Sequence, residues 1–358
     1  MTDLQSRAEL QLQLSPDQLH KIRDRMESFD ARSSDEGEAV NFRFVFGEAS
    51  LVMPEGALIM RARSPHPDGL ARLKDLMATA VEFYAKESQP RIVWQGDLAG
   101  RGELEQFREA TVVDAMDLTP HMKRVRLKAR NLERFASFGG LHVRMLFPTA
   151  TVPDPVWPVR GDNGLVSWPD ETRRPTTRVY TIRRLDVAGG HFDVDFLIHE
   201  GENVGSNWAS HARPGDKVGI MGPLGRPIRP ADWYVMGADE TGLPAIGRII
   251  ESLPVTTRGV AFIEVADGGE RQVIEHGTGI ELHWLYRNGV PGGESKVLAD
   301  AVMSVAWPKL GTSFGWFAAE AEAAKRVRDH WRSDLALGRD QTIASAYWTR
   351  GDAGTMAG

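Results

Sequence analysis

The 358 residues are enough for two or three domains, and 42% hydrophobic with 26% charged residues is the composition of a folded protein, not of a disordered or fibrous one. The formal net charge of −6 disfavours nonspecific nucleic-acid binding, and the absence of cysteine excludes disulfides, thiol nucleophiles and cysteine-ligated zinc or iron–sulfur sites. No apolar run approaches about 18 residues and no secretory signal is evident, so we expect a cytoplasmic protein without membrane insertion.

Residues 1–96 predict a small α+β domain of unknown role. Ser15 followed by Pro16 is typical of a helix start. Phe42, Phe44 and Phe46 alternate with other residues, which indicates a half-buried strand. Further strands and a second helix are predicted at 48–53, 57–62 and 70–84. We expect this block to fold separately and to be dispensable for chemistry.

Residues 101–230 are rich in short strand patterns separated by glycine and proline. Six such segments predict an antiparallel β-barrel, at 112–113, 124–129, 141–147, 178–183, 192–198 and 217–221. The stretch 148–175 is irregular and proline-rich, and we expect a long excursion beside a functional site.

Residues 231–358 change to an alternation of strands and helices. Strands are predicted at 233–237, 259–265, 281–285 and 313–318, with helices after the first, third and fourth. This order favours a parallel sheet wrapped by helices, a nucleotide-binding type of α/β domain. The fold class is therefore multidomain: a small α+β domain, an antiparallel β-barrel and a C-terminal α/β domain.

The segment 178–183 carries the first chemical pattern. On a strand, Arg178, Tyr180 and Ile182 share one face, while Thr181 lies on the other. An arginine that can clamp a phosphate, beside an aromatic ring that can cover a flat heterocycle, suits a flavin dinucleotide. The alternative is a plain barrel wall with a solvated arginine.

The second pattern follows the next predicted strand and opens a helix. Its candidate residues are His199, Val204, Gly205, Ser206 and Trp208. Backbone N–H groups at a helix start bind anions, and a glycine lets a pyrophosphate approach closely. An ordinary capped helix is the alternative, but the arginine strand lies about 20 residues earlier, so the two patterns outline both ends of one dinucleotide.

The third pattern follows the buried strand 233–237 and precedes a helix, where a nucleotide crevice is expected. Asp239 and Thr241 are its candidate residues. No GxGxxG motif is present, so a standard Rossmann fingerprint is not indicated, and both residues could be ordinary helix caps.

In this order the patterns resemble the siderophore-interacting protein family, FAD-dependent ferric-siderophore reductases related to the ferredoxin–NADP reductase superfamily. The resemblance covers about 105–352 and is carried by 178–183, 199–209, 239–246, 318–320 and 346–351. It implies bound FAD, NAD(P)H as the electron donor, a ferric siderophore as acceptor, and cofactor contacts from Glu320, Tyr347 and Trp348. It also implies no catalytic acid, base or nucleophile and no resident metal, because the flavin carries the chemistry.

The electron donor is the least defined part of this resemblance. Ala319 stands where the family has glycine, and its methyl group could crowd a nicotinamide, so reduced ferredoxin is an alternative donor. Glu264 and Asp267 could accept a hydrogen bond from the ribose 2′-hydroxyl of NADH. Arg258 and Arg271 could instead meet the 2′-phosphate of NADPH.

Many ferric siderophores are anionic, so a basic approach surface is expected. The candidates alternate on one predicted strand or lie on a late helix: Arg124, Arg126, Lys325 and Arg328. A solvated barrel exterior is the alternative for the strand residues. Two other functions remain open: a general NAD(P)H-dependent flavin oxidoreductase acting on a quinone, free flavin or protein, and a siderophore-binding protein without turnover.

Overall fold

The computed structural model describes residues 3–137, 140–199, 201 and 203–352, which divide into two compact units. The first unit contains the chain up to Phe107 together with Asp154–Arg174. The second unit contains Arg108–Pro153 and the chain from Pro175 onward. Strands and helices are numbered in chain order through both units.

The first unit is a six-stranded antiparallel sheet with the strand order β2-β3-β4-β5-β1-β6. Its strands are β1 (Leu4–Leu10), β2 (Arg32–Glu36), β3 (Ala39–Phe44), β4 (Gly47–Val52), β5 (Leu58–Ser64) and β6 (Gln95–Gly96). Its helices are α1 (Pro16–Glu27) and α2 (Pro67–Tyr84). In the part of the chain that is described, no helix combines the length and apolarity needed to cross a membrane.

Local sequence signals explain most of this unit. The predicted start of α1 is confirmed: the Ser15 hydroxyl accepts from the Gln18 amide N–H at 3.2 Å, and the Gln18 side chain accepts from the Ser15 N–H at 2.9 Å. Phe42 and Phe44 point into the core beneath the helices, as their alternation predicted. Strands β1 and β2 were not predicted.

The segment Asp154–Arg174 belongs to the first unit, although the sequence-based division placed it with the barrel. It includes the short strands β10 (Val159–Arg160) and β11 (Val166–Ser167). The Trp94 indole N–H donates to the Asn163 carbonyl at 2.8 Å, and Arg160 donates to the Glu103 carbonyl at 3.0 Å. These partners precede the barrel in sequence, which is why local patterns in 148–175 did not reveal the connection.

The second unit begins with a closed barrel in the order β12-β13-β8-β7-β14-β9, which confirms the six predicted barrel strands. They are β7 (Phe107–Thr119), β8 (Met122–Lys128), β9 (His142–Phe147), β12 (Thr176–Asp186), β13 (His191–Leu197) and β14 (Lys217–Leu224). Two short helices accompany them, α3 (Glu133–Ser137) and α4 (Val204–His211). Apolar side chains from alternate strand positions fill the interior.

The rest of the second unit is a parallel sheet with the order β17-β16-β15-β18-β19. It confirms the predicted parallel sheet and its four predicted strands, and adds a fifth strand, β19, that was not predicted. Its strands are β15 (Trp233–Ala238), β16 (Arg258–Val265), β17 (Gly279–Tyr286), β18 (Ser313–Glu320) and β19 (Thr342–Trp348). Its helices are α5 (Leu243–Ser252), α6 (Val297–Met303) and α7 (Ala321–Asp329). The order reverses between β15 and β18, so a ligand crevice is expected beyond the carboxyl ends of these strands.

Candidate functional site

Residues 178–183, the pattern that suits a flavin, lie on β12, one of the strands of the barrel wall. Arg178 is opposite Met145 and Tyr180 is opposite Val143 in the β9 register, so both side chains share the face of buried apolar residues. The ring of Tyr180 packs against Phe196, with ring centroids 4.4 Å apart. Burial raises the pKa of the Tyr180 hydroxyl, which therefore stays protonated. The predicted aromatic group thus belongs to a cluster that also includes Phe147 and Trp208.

The start of α4 approaches this ring very closely. A Cβ atom added to Gly205 would lie 1.8 Å from the Tyr180 hydroxyl oxygen and 2.7 Å from its ring carbon Cζ. Only glycine fits at that distance. The structure therefore brings together the two patterns expected to bind opposite ends of a dinucleotide, through direct contact between Gly205 and Tyr180.

Polar contacts fix the turn that leads into α4. The Asn203 side chain caps the helix by accepting from the Gly205 N–H at 3.1 Å. The Ser206 hydroxyl accepts from the His199 N–H at 3.1 Å and donates to the His199 carbonyl at 3.3 Å. Ser206 thus ties the end of β13 to the helix, and Val204 is the first residue of α4. Asn203 was missed by sequence reasoning, although asparagine is a common N-cap residue.

A cavity of about 410 Å³ lies beside α4. Trp208 forms part of its wall, together with residues that follow β9. The lining residues are Pro148, Thr149, Ala150, Pro153, Val204, Asn207, Trp208, His211 and Asp216. The predicted helix start therefore borders an open concave surface.

Helix α5 connects the third pattern to β12. Arg183 forms two contacts of 2.6 Å with Glu251, and the Arg248 guanidinium donates to the Ile182 carbonyl at 2.7 Å. Since α5 follows the turn after β15, these contacts hold that turn near the flavin-type strand. Arg183 is buried and serves this connection.

Asp239 follows the carboxyl end of β15 and is buried. Its carboxylate accepts from the Thr241 N–H at 2.9 Å, from the Thr241 hydroxyl at 2.5 Å and from the Trp348 indole N–H at 2.7 Å. Burial raises the pKa of Asp239 to about 6, and the hydrogen bonds from Thr241 and Trp348 oppose that rise. The alternative, that Asp239 and Thr241 are ordinary helix caps, is not confirmed, because the N-cap of α5 is Gly242 and has no side-chain cap. The Asp239 carboxylate instead closes the turn before α5 and orients Trp348.

Glu320 lies at the neighbouring carboxyl end, on β18. Its carboxylate accepts from the Glu322 N–H at 2.6 Å and from the Arg350 N–H at 3.2 Å. Ala319 is 2% exposed and packs in an apolar core with Val235 and Phe317. Its methyl group is covered by these core side chains, so the expected obstruction of a nicotinamide by Ala319 finds no support.

Tyr347 connects the parallel sheet to the barrel through a hydrogen bond to His142 Nε2, and the two rings meet edge to face. Burial lowers the pKa of His142 to about 4, and the nearby Arg248 charge adds to this effect. Burial also raises the pKa of Tyr347. A neutral histidine therefore accepts from a protonated tyrosine. Sequence reasoning found Tyr347 but missed His142, because their pairing joins distant parts of the chain.

The predicted basic surface on β8 is not a free cationic face. Arg124 forms a bidentate ion pair with Asp195 at 2.7 and 2.8 Å, and Arg126 forms one with Asp193 at 2.9 and 3.1 Å. Both aspartates lie on the adjacent strand β13 and are buried. Their charges compensate the arginines, which the alternation of β8 alone could not reveal.

The helix residues proposed for the same surface lie on α7. Lys325 is exposed, whereas Arg328 is partly buried and donates to the Ala344 carbonyl at 3.3 Å. Within residues 3–137, 140–199, 201 and 203–352, no three histidine or carboxylate side chains gather as a possible metal site.

Two family models match most of the second unit together with Asp154–Arg174 of the first. A siderophore-interacting FAD-binding domain matches residues 111–227, and the siderophore-interacting protein model matches residues 231–351. The first segment covers the barrel and α4, and the second covers the parallel sheet. The matches therefore include every proposed cofactor contact.

Named relatives agree with these models. The chain is 32% identical to ferric vibriobactin reductase of Vibrio cholerae, over 65% of this chain and 86% of that protein. It is 30% identical to an NADPH-dependent ferric-chelate reductase of Escherichia coli, over 68% and 93%.

Solved structures show the same likeness. A siderophore utilization protein from T. fusca has a TM-score of 0.62 and 34% identity, covering 70% of this chain and 97% of that one. The siderophore-interacting protein SipS from Aeromonas hydrophila has a TM-score of 0.59 and 27% identity, covering 70% and 94%.

Proposed function

Because the chain belongs to the siderophore-interacting protein family, we propose that it is an FAD-dependent oxidoreductase that takes electrons from NAD(P)H and reduces ferric siderophores, releasing ferrous iron. The observation that carries this proposal is the contact between Tyr180 and Gly205. It joins an arginine-bearing barrel strand to a helix start within the segment that matches an FAD-binding domain. A site for FAD requires both the arginine of the strand and the start of the helix.

The chemistry of these residues fits FAD. Arg178 is positively charged and partly buried, so it can form a charge-assisted contact with the pyrophosphate. The start of α4 at Val204 and Ser206 directs backbone N–H groups outward from the helix end, as an anion site requires, and Gly205 lets the Tyr180 ring pack directly against this turn. We assign Tyr180, Thr181, Ile182 and Trp208 to the walls of the same site.

When bound to these residues, FAD would supply the redox chemistry, a two-electron exchange with the donor and one-electron transfers to ferric iron. The chain supplies orientation. Asp239 holds the Trp348 indole at the switch point, and the hydrogen bond from Tyr347 to His142 fixes β19 against the barrel. These contacts keep two aromatic side chains at the edge where the donor is expected.

The donor site is proposed at the carboxyl ends of β15 and β18. Asp239, Thr241, Glu320 and Trp348 surround the point where the strand order reverses, the place where open α/β sheets bind nucleotides. NAD(P)H is favoured over ferredoxin because this edge of the sheet has the topology of a nucleotide site. A cytoplasmic location accords with such a donor and with the lack of cysteine.

The iron is substrate, held by its own chelator. Ferrous iron binds hard oxygen donors less tightly than ferric iron does, so reduction favours release. Since Arg124 and Arg126 are paired with buried aspartates, the exposed Lys325 and its neighbour Arg328 are the remaining candidates for attracting an anionic chelate.

The decisive experiment is an anaerobic acceptor panel with the FAD-loaded protein. We expect ferric siderophores to oxidise the reduced flavin, with stoichiometric ferrous iron trapped by a chromogenic chelator. Faster reduction of quinones or free flavin, with little ferrous iron, would favour a general flavin oxidoreductase. A purified protein that binds siderophore but no flavin would favour a binding protein without turnover.

The flavin assignment has its own test. Arg178→Ala removes a charge-assisted contact, so FAD affinity should fall about 10- to 100-fold. Arg184→Ala, an exposed position on the same strand, is the matched control and should leave affinity unchanged. Full flavin occupancy of Arg178→Ala after extensive dialysis would contradict the assignment of β12.

A further inference from the structure

We propose that the donor is NADH rather than NADPH and that Glu264 is the residue that selects it; this rests on the proposed function. Glu264 lies near the carboxyl end of β16, next to β15 in the sheet. It follows the Asp239–Gly242 turn by about 20 residues, the spacing at which an acidic residue binds the ribose 2′-hydroxyl in dinucleotide-binding folds.

The contacts of Glu264 suit recognition of a hydroxyl. Its Oε2 accepts from the Ser295 hydroxyl at 2.8 Å, and its Oε1 lies 3.7 Å from an Arg287 nitrogen, beyond hydrogen-bond distance. A carboxylate can accept about four hydrogen bonds. A ribose hydroxyl that replaces the Ser295 hydroxyl would therefore find the same acceptor.

The charge around Glu264 opposes a phosphate. Arg287 is the cation in contact, but Glu240 engages it with two contacts of 2.7 and 2.6 Å. All three side chains are about 10% exposed or less, so one positive charge is shared between two buried carboxylates. The cluster is negative overall, whereas a 2′-phosphate brings about −2 more at neutral pH. NADPH would meet repulsion where NADH meets a hydrogen-bond acceptor.

The other residues considered for this role fit less well. Arg258 lies at the opposite, amino end of β16, where it donates to the carbonyls of Val255, Thr256 and Thr257 at 3.0–3.2 Å. Asp267 accepts from the Gly269 N–H at 2.7 Å and caps a short turn. Arg271 is exposed in the segment after β16 and could meet the 2′-phosphate of NADPH, so the test includes a substitution of this residue.

The first measurement is kcat/KM of the FAD-loaded full chain with each nucleotide. We expect a preference for NADH of at least about tenfold. Glu264→Gln should reduce this preference by about tenfold or more, because it removes the repelling charge. Glu281→Gln, which neutralises an exposed carboxylate on β17, is the control and should leave it unchanged. A preference for NADPH that Arg271→Ala abolishes would overturn the proposal.

A binding measurement separates this inference from the proposed function and does not depend on a folded Glu264 variant. Thermal protection of the wild-type chain is compared for ADP-ribose and 2′-phospho-ADP-ribose. Stronger protection by ADP-ribose supports the inference even if no ferric chelate is reduced. Equal or stronger protection by the phosphorylated fragment, or protection by neither, overturns it.

Discussion

At the residue scale, the close approach of Tyr180 to α4 leaves no room for a side chain at Gly205. Gly205→Ala would place a methyl group 1.8 Å from the Tyr180 hydroxyl, within a buried aromatic cluster. We expect a loss of about 1–3 kcal/mol in the free energy of unfolding and weaker FAD binding, because the ring or α4 must move. Urea unfolding and FAD titration measure the two effects.

A double variant and a control variant test whether contact with Tyr180 causes the loss of stability in Gly205→Ala. Adding Tyr180→Phe to Gly205→Ala removes the nearest atom and should restore part of the lost stability. Gly268→Ala is the matched control, since an added Cβ there meets no atom within 4 Å. Equal losses in Gly205→Ala and Gly268→Ala would show that the Tyr180 contact is not the cause.

His142 and Asp239 make opposite contributions to the pH dependence of stability. The folded chain lowers the pKa of His142 to about 4 from 6.5, so its contribution is lost as pH falls from about 6.5 to 4. The folded chain raises the pKa of Asp239 from 3.8 to about 6, so its contribution is lost as pH rises through that interval. The two effects partly cancel in the wild type.

Single substitutions should reveal each contribution. Relative to wild type, His142→Gln should make the free energy of unfolding fall more with rising pH between 4.5 and 6, and Asp239→Asn should make it rise more, each by up to about 1.4 kcal/mol per pH unit. Urea unfolding at several pH values measures these slopes. The same slope change in both variants would contradict the assigned pKa directions.

At the scale of elements, a buried ion pair connects α5 to β12. The Arg183 side chain is 5% exposed and Glu251 is 25% exposed, so Glu251→Gln leaves a buried guanidinium without its counter-charge. We expect a loss of about 2–4 kcal/mol in the free energy of unfolding. Asp300→Asn breaks the more exposed pair with Arg326 and should cost under about 1 kcal/mol. Similar losses in both variants would contradict this role for Arg183.

The elements themselves were largely predictable from the sequence because their signals are local. The barrel strands and the parallel strands β15–β18 carry apolar patterns of their own, and α1 carries its cap at Ser15. Strands β1 and β2 were not predicted, for two different reasons. Strand β1 alternates buried Ala8 and Leu10 with polar residues, a signal that was present but unused. Strand β2 has no buried residue, so the sequence carries no apolar alternation there.

The candidate site was predictable only in part, because side chains are paired by tertiary structure. Tyr180 and Gly205 were found separately, but their contact depends on the closure of the barrel. Arg124 and Arg126 looked like a basic surface because their partners lie about 70 residues away, on β13. Sequence periodicity reports the face of a strand, not the charge on its neighbour.

At the scale of the whole molecule, the chain passes between the two units more than once. The chain leaves the second unit after Pro153, forms Asp154–Arg174 within the first unit, and returns at Pro175. The excursion connects β9 to β12, the strand that carries Arg178. This path of the chain leads to a prediction opposite to that of a dispensable first block.

We predict that removing residues 1–107 weakens FAD binding by at least about tenfold. Asp154–Arg174 then loses Trp94 and Glu103 as partners, so the chain that leads into the start of β12 is no longer ordered. A second truncation also replaces 154–174 by a short glycine–serine linker, which frees β12 from an unfolded insertion. The second truncation should recover most of the affinity for FAD.

FAD titration and far-ultraviolet circular dichroism compare both truncations with the full chain. Undiminished affinity in the first truncation would show that the unit is dispensable after all, and equal weakness in both would show that it supports the flavin site by a route other than this segment.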